Sequence, residues 1–416
     1  MYNTLYQIVS LQLFSLRLSM SEQRYVVLKT EEIVVPTIDE LGFRTFSPRP
    51  PEESSIELTV EEASLTDNER NDLRRDPRTK AIAPLMPMKL IAPIAQSEVE
   101  TLADPVAWGI EAVRATDSSF DGSGVTVAVL DTGIEPSHPA FSGVNLVQRN
   151  FTTEGDNDQN GHGTHCAGTI FGKDIDGSRI GVARNVTRAL IAKVLGEGGG
   201  SSLDLAQAIQ WAVDEGAHII SMSLGIDYPG AVEGIVSRQG VPIGAATSLA
   251  LEAYRANINL FTQLARYIQA QGAFGQGTII VAASGNESRR PNYEIAVAPP
   301  AASTGVISVG ALQQGDSGLS VANFSNDQVN ISAPGVDVLS AWIDGGLQSI
   351  DGTSMATPHV AGVAALWAQK QLQERGRIDS QLLTSRLISS GSMKPLATDS
   401  QPEDVGAGIV QAPISG

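Results

Sequence analysis

The sequence predicts an α/β fold, a doubly wound and mostly parallel sheet flanked by helices, preceded by a small α+β unit. From about Val106 to the end, strand and helix patterns alternate, which marks a parallel sheet covered on both faces. The strand runs are short and β-branched, whereas the segments between them carry apolar residues at helical spacing. A chain of 416 residues with 42% apolar content is long enough for one large core and a smaller companion.

Residues 1–23 read as an N-terminal extension. Leu5 to Leu18 is apolar but interrupted by Gln7, Ser10, Gln12 and Ser15, with no basic residue before Arg17. That makes a poor signal peptide, so the expectation is a cytoplasmic product by default, with secretion as the alternative. Residues 24–96 form the small unit. There Tyr25-Val26-Val27-Leu28 reads as a strand, Ser47-Pro48-Arg49-Pro50-Pro51 as a break and Ile56-Glu57-Leu58-Thr59-Val60 as a second strand. Ser64 to Arg75 reads as a short charged helix stopped by Pro77, and Lys80 to Ala92 as an extended, proline-spaced tail. Residues 97–105 follow as an exposed, cleavable linker.

Residues 106–413 make the large domain. Its strands are expected at Val125 to Leu130, Ala189 to Val194, Ile219 to Leu224, Thr278 to Ala282 and Val306 to Val309. Leu203 to Asp214 and Ser248 to Ala270 are expected as helices between them. In such sheets, functional residues collect where strands end at their carboxyl edge.

The net charge of -18 is spread along the chain, which argues for solubility and against nucleic acid or an anionic membrane as partner. No stretch approaches the ~20 uninterrupted apolar residues needed to span a bilayer. A single cysteine, Cys166, rules out an intramolecular disulfide and a cysteine-based zinc cluster.

Three motifs carry chemistry. Asp131 ends the first core strand in Val129-Leu130-Asp131-Thr132-Gly133-Ile134, where it is either a rigidly held, partnered carboxylate or a turn aspartate. His162 lies in Asn160-Gly161-His162-Gly163-Thr164-His165-Cys166-Ala167-Gly168, whose small residues let another backbone approach; a His-x-x-His metal pair is the alternative, without a third ligand in pattern. Ser354 lies in Asp351-Gly352-Thr353-Ser354-Met355-Ala356-Thr357-Pro358-His359, at the mouth of an apolar helix, with Pro358 expected in its first turn. There it is a plain N-cap serine or a group beside amides that favour developing negative charge.

The chain order Asp, His, Ser is one of the known orders of a serine protease triad, and each motif is long and specific. Together these residues resemble the subtilisin-like family, the subtilases or peptidase S8 family, from about Val106 to Ala412, with Gly406 to Ala412 similar to that fold's closing strand. The resemblance implies a serine endopeptidase acting on peptide or protein substrates, with Ser354 as nucleophile, His162 as proton carrier and Asp131 as its orienting partner. Asn286, in Ala282-Ala283-Ser284-Gly285-Asn286-Glu287, matches the family's oxyanion donor.

The same likeness implies a substrate cleft between Ser223, Leu224 and Gly225 on one side and Ala283, Ser284 and Gly285 on the other. Neither segment contains an acidic residue, which suggests a broad apolar pocket, its floor near Ala298-Pro299-Pro300. Residues 24–96 resemble an inhibitor-type propeptide whose tail lies in the cleft, so the chain's own prodomain is expected as an intramolecular inhibitor and the product as a self-processing zymogen; a permanent accessory domain is the competing reading. Cys166 is expected beneath His162, and Asp227 to Ala246 as an insertion beside the cleft. No cofactor is needed for the implied chemistry. Asp156, Asp158, Asp174 and Asp176 leave structural calcium open, with a solvated acidic turn as the equal alternative. A catalytically silent binding protein and an esterase or acyltransferase are the rival functions.

Overall fold

The computed structural model describes residues 23–34, 54–94, 96–98, 105–272 and 275–414. All but the last residue of the expected N-terminal extension, Gln23, together with the Ser47–Pro51 break and most of the expected linker, lies outside the described residues. The chain divides into two compact units at Leu85 and Met86.

In the first unit β1 (Gln23–Val34) is the central strand, paired antiparallel with β2 (Ser54–Leu65) and β3 (Thr79–Pro84). Tyr25 and Val27 of β1 meet Leu65 and Ile82 in a small apolar cluster. Between β2 and β3 lies α1 (Asp67–Arg75), opened by a capping box in which Thr66 and Glu69 satisfy each other's backbone amides. The helix therefore starts three residues later than Ser64, and Ser64 and Leu65 complete β2 instead.

The second unit carries the large sheet. Its strands are β6 (Thr126–Asp131), β7 (Asn145–Asn150), β8 (Arg188–Lys193), β10 (Ile219–Met222), β12 (Ile279–Ala283), β13 (Val306–Gly315), β14 (Gly318–Val321) and β15 (Ile331–Pro334). Their order is β14-β13-β12-β10-β6-β8-β7, with β15 also on β13, and only the β13–β14 pair is antiparallel. Two smaller antiparallel sheets join it, β11 (Leu224–Ile226) with β4 (Pro87–Leu90) and β9 (Gly200–Ser201), and β17 (Leu347–Ile350) with β16 (Val338–Ala341) and β5 (Gln96–Glu98). Gln96–Glu98, at the expected linker boundary, is thus held as a strand by the ladder of β17.

Alternation along β6 explains why the sheet is covered twice. Val127 and Val129 enter the main apolar cluster with α2 (Trp108–Ala112), α3 (His162–Phe171) and α7 (Thr353–Arg375). Ala128 and Leu130, equally buried, face the other side, where α4 (Ser202–Asp214) packs on β6 and β8. The expected insertion folds as α5 (Tyr228–Gln239) leading into the long α6 (Ile243–Gly272). Asp227 caps α5 with its carboxylate, a signal that Pro229 just inside the helix reinforces.

Two further expectations are corrected. Gly406 to Ala412 is not a continuous strand; it touches neighbouring chain through isolated bridges at Ile409, because Gly406 and Gly408 both take positive φ. Pro358 is inside α7 rather than in its first turn. It removes the amide that would bond the Ser354 carbonyl, and Ser223 Oγ (3.1 Å) and Cys166 Sγ (3.5 Å) donate to that oxygen instead.

Candidate active site

Strand β6 delivers Asp131 to its carboxyl end, and the next residue ties that end to α3. Thr132 Oγ1 accepts from the Gly163 amide (2.9 Å) and donates to buried Asp158 (2.9 Å). Asp158 in turn accepts from the amides of Asn160, Gly161 and Thr164, so the N-terminus of α3 is fixed against the end of β6. This close approach needs Gly163, since a Cβ there would sit 2.2 Å from the Gly133 carbonyl oxygen. The result is that His162 Nδ1 lies 2.8 Å from Asp131 Oδ1, with the Thr132 amide donating to the same oxygen. Both side chains are buried.

Ser354 and Asn286 arrive from two other elements. Asn286 follows β12, and its Oδ1 accepts from both the amide (2.9 Å) and hydroxyl (2.8 Å) of Thr353. This anchors the asparagine to the start of α7 and turns its Nδ2 outward. Ser354 is the second residue of α7, where backbone amides have no partner within the helix.

A segment of the same chain lies across these groups. β4 runs antiparallel to β11 with Leu90 opposite Leu224, Lys89 opposite Gly225 and Met88 opposite Ile226. Beyond β4, Ser354 Oγ donates to the Ile91 carbonyl (2.9 Å) and Asn286 Nδ2 to the Ala92 carbonyl (3.0 Å). Ile94 continues on to the Asp351 carbonyl (3.0 Å). The Ser354 hydroxyl is thus bonded to the segment rather than to His162, whose Nε2 has no hydrogen-bond partner among the described residues.

Electrostatics separate the two histidines of the motif. Burial disfavours a charge on His162, but the Asp131 carboxylate outweighs it and holds the imidazole pKa well above its usual 6.5. His165 is pushed down to about 3 by burial and by the neighbouring His162 charge, and its Nε2 lies 2.9 Å from the Val338 carbonyl oxygen. The two rings therefore do not form a metal pair. Cys166 Sγ lies 3.8 Å from His162 Nδ1, and burial pushes its thiol up. Among the described residues, only Asp131, His162 and Cys166 form a cluster close enough to share an ion. The four expected calcium ligands do not converge. Asp158 gives both oxygens to protein donors and Asp174 pairs with Arg184 (2.8 Å).

Of the expected cleft residues, Leu224 and Gly225 form the ladder with β4, while Ser223 acts behind it on the Ser354 carbonyl. Ala283, Ser284 and Gly285 support the opposite wall. The Ser284 carbonyl accepts from Ala298 (3.1 Å) and the Gly285 amide donates to Thr353 Oγ1 (3.2 Å). A cavity of about 880 Å³ beside the segment is lined by Tyr228, Leu251, Tyr254, Tyr293, Ile295 and Ala298, among others. Ala298 was expected near its floor. The α5 side of the wall falls in the insertion expected beside the cleft, whereas the α6 side was not expected, because residues 228 and 254 are brought together only by the packing of two helices; the Tyr228 and Tyr254 rings meet edge to face at 5.6 Å.

The profile described as "Subtilase family" matches residues 122–393. The chain is 35% identical over 317 residues to the "Thermostable alkaline protease" of Halalkalibacterium halodurans, covering 74% of this chain and 72% of that protein. It is 37% identical over 281 residues to the "Alkaline protease" of Alkalihalobacillus alcalophilus, covering 66% of this chain and 62% of the relative. It is also 36% identical over 275 residues to "Subtilisin Savinase" of Lederbergia lenta, covering 64% of this chain and 86% of that protein. With the matched region spanning every residue of the site from Asp131 to Ser354, the chain belongs to the subtilase family of serine-type endopeptidases.

Proposed function

We propose that this chain hydrolyses peptide bonds in protein or peptide substrates through Asp131, His162 and Ser354, and that it is made as a self-processing zymogen. The observation that carries the reading is the cleft segment itself: adjacent carbonyls of one extended strand meet Ser354 Oγ and Asn286 Nδ2, beside a histidine backed by a buried carboxylate.

In the proposed reaction the Ser354 hydroxyl turns from the Ile91 carbonyl toward His162 Nε2, which takes its proton as the oxygen attacks the substrate carbonyl carbon. The negative oxygen so formed faces Asn286 Nδ2 and the Ser354 amide at the positive end of α7. Asp131 keeps the proton on Nδ1 and stabilises the imidazolium until the leaving amine takes the Nε2 proton. Water, deprotonated by the same imidazole, then attacks the acyl carbon, and the bond to Ser354 Oγ breaks as that oxygen takes back the Nε2 proton. The proposed steps use protein groups, substrate and water, with no cofactor in the chemistry.

Residues 24–96 are proposed as the prodomain, its tail holding the cleft through the β4–β11 ladder, and residues 97–105 as the place of cleavage. No helix among the described residues is long and apolar enough to cross a membrane. The relatives lend the cytoplasmic default no support, and we propose the exported alternative, which suits a zymogen.

The test compares the full chain with Ser354→Ala by gel and by N-terminal sequencing over time. The unaltered chain is expected to yield a species beginning between Ala92, next to the carbonyl that Ser354 touches, and Pro105, and the variant to stay intact. Equal conversion of both, or persistence of both, would remove self-processing.

A further inference from the structure

Lys89 lies opposite Gly225 in the β4–β11 ladder, two residues before the carbonyl that Ser354 touches. Its Nζ is 3.3 Å from Asp227 Oδ1 and 3.8 Å from Glu287 Oε1. These two carboxylates come from opposite walls of the cleft, one capping α5 and one following Asn286. Each is steadied by a neutral donor: Asp227 accepts from the Gly230 amide (3.3 Å), and Glu287 Oε2 accepts from Asn326 Nδ2 (2.9 Å). Among the described residues neither pairs with an arginine. The nearby Arg289 guanidinium is committed to the carbonyls of Asn286 (2.8 Å) and Ser288 (2.6 Å). Among the described residues, therefore, no arginine takes the lysine's place on either carboxylate.

We propose that Asp227 and Glu287 form a clamp that selects substrates with a basic side chain at the position facing Gly225. The inference rests on reading the cleft segment as substrate-like. A carboxylate-bearing side chain at that position meets two like charges, so discrimination comes from repulsion as well as attraction. The three side chains are 30–42% exposed, so solvent and salt screen the effect. The preference for lysine over glutamate is expected to be about tenfold at low salt, shrinking as salt is added.

The full chain is assayed with two chromogenic anilides, Pro-Met-Lys-Leu-Ile, which copies residues 87–91, and its counterpart with glutamate in third place. The chain's own segment competes with both alike, so the ratio of kcat/KM is independent of it. Asp227→Asn and Glu287→Gln should each lower the ratio, and the double variant should bring it to about twofold or less. Asp316→Asn, an equal charge change on the exposed turn before β14, should leave it unaltered. The same peptides are titrated calorimetrically into the Ser354→Ala chain. Equal hydrolysis of both peptides, or a ratio indifferent to the double variant, overturns the clamp and leaves the proposed activity standing. Preferential binding of the lysine peptide without hydrolysis by the unaltered chain keeps the clamp and overturns the activity. No hydrolysis together with no binding preference overturns both.

Discussion

At the scale of single residues, the decisive pair is Asp131 and His162. Burial alone would drive the imidazole neutral, yet the carboxylate 2.8 Å away holds its pKa well above 6.5. For stability the sign is clear: a raised folded pKa contributes fully below the unfolded value near 6.5 and is lost as pH rises through the folded value. For the proposed activity it is opposite, since only the neutral ring accepts a proton from Ser354. The acid limb of kcat/KM is therefore expected above pH 6.5. Asp131→Asn should lower kcat on the order of 10⁴-fold, the scale typical for a neutralised triad carboxylate, and move that limb to lower pH. A pH–rate profile with an unmoved limb would show that Asp131 does not set the ring's charge. Asn286→Ala should cost about 10²–10³ in kcat, with KM changing far less. Asp131, His162, Asn286 and Ser354 were legible because each sits in a long motif. Lys89, Asp227 and Glu287 were not, since an ion pair between residues so distant in sequence leaves no local pattern.

At the scale of elements, the site depends on how closely α3 approaches the end of β6. Gly163→Ala would force its new methyl against the Gly133 carbonyl, with an expected loss of about 1–3 kcal/mol in a denaturant titration. An unchanged midpoint would mean that α3 can slide without cost. α7 shows a second dependence, because Pro358 frees the Ser354 carbonyl, and Ser223 and Cys166 take it up. Five of the eight strands of the large sheet were readable from continuous apolar runs; β7, β14 and β15 were not. The start of α1 was misplaced because the capping box at Thr66 was not weighed against the alternation that continues β2 to Leu65. α5 was passed over as an insertion, although Asp227 and Pro229 carry a start signal for it.

At the scale of the whole molecule, a cleft filled by the chain's own strand predicts delayed activity. Peptide hydrolysis by freshly prepared full chain should begin with a lag, and the lag should shorten as enzyme concentration rises if one molecule cuts another. A linear start from the first seconds would argue against a self-blocked cleft. By itself, the sequence determined the α/β class, the strand ends that bear Asp131 and Asn286, and the helix starts that bear His162 and Ser354, because these follow from local periodicity and motif. Only the tertiary structure decided that Ile91 and Ala92 lie on Ser354 and Asn286, that two inserted helices wall the cavity, and that Lys89 rests between two carboxylates. Those contacts join segments far apart in the chain, and their energy comes from closing the fold rather than from any short run of residues.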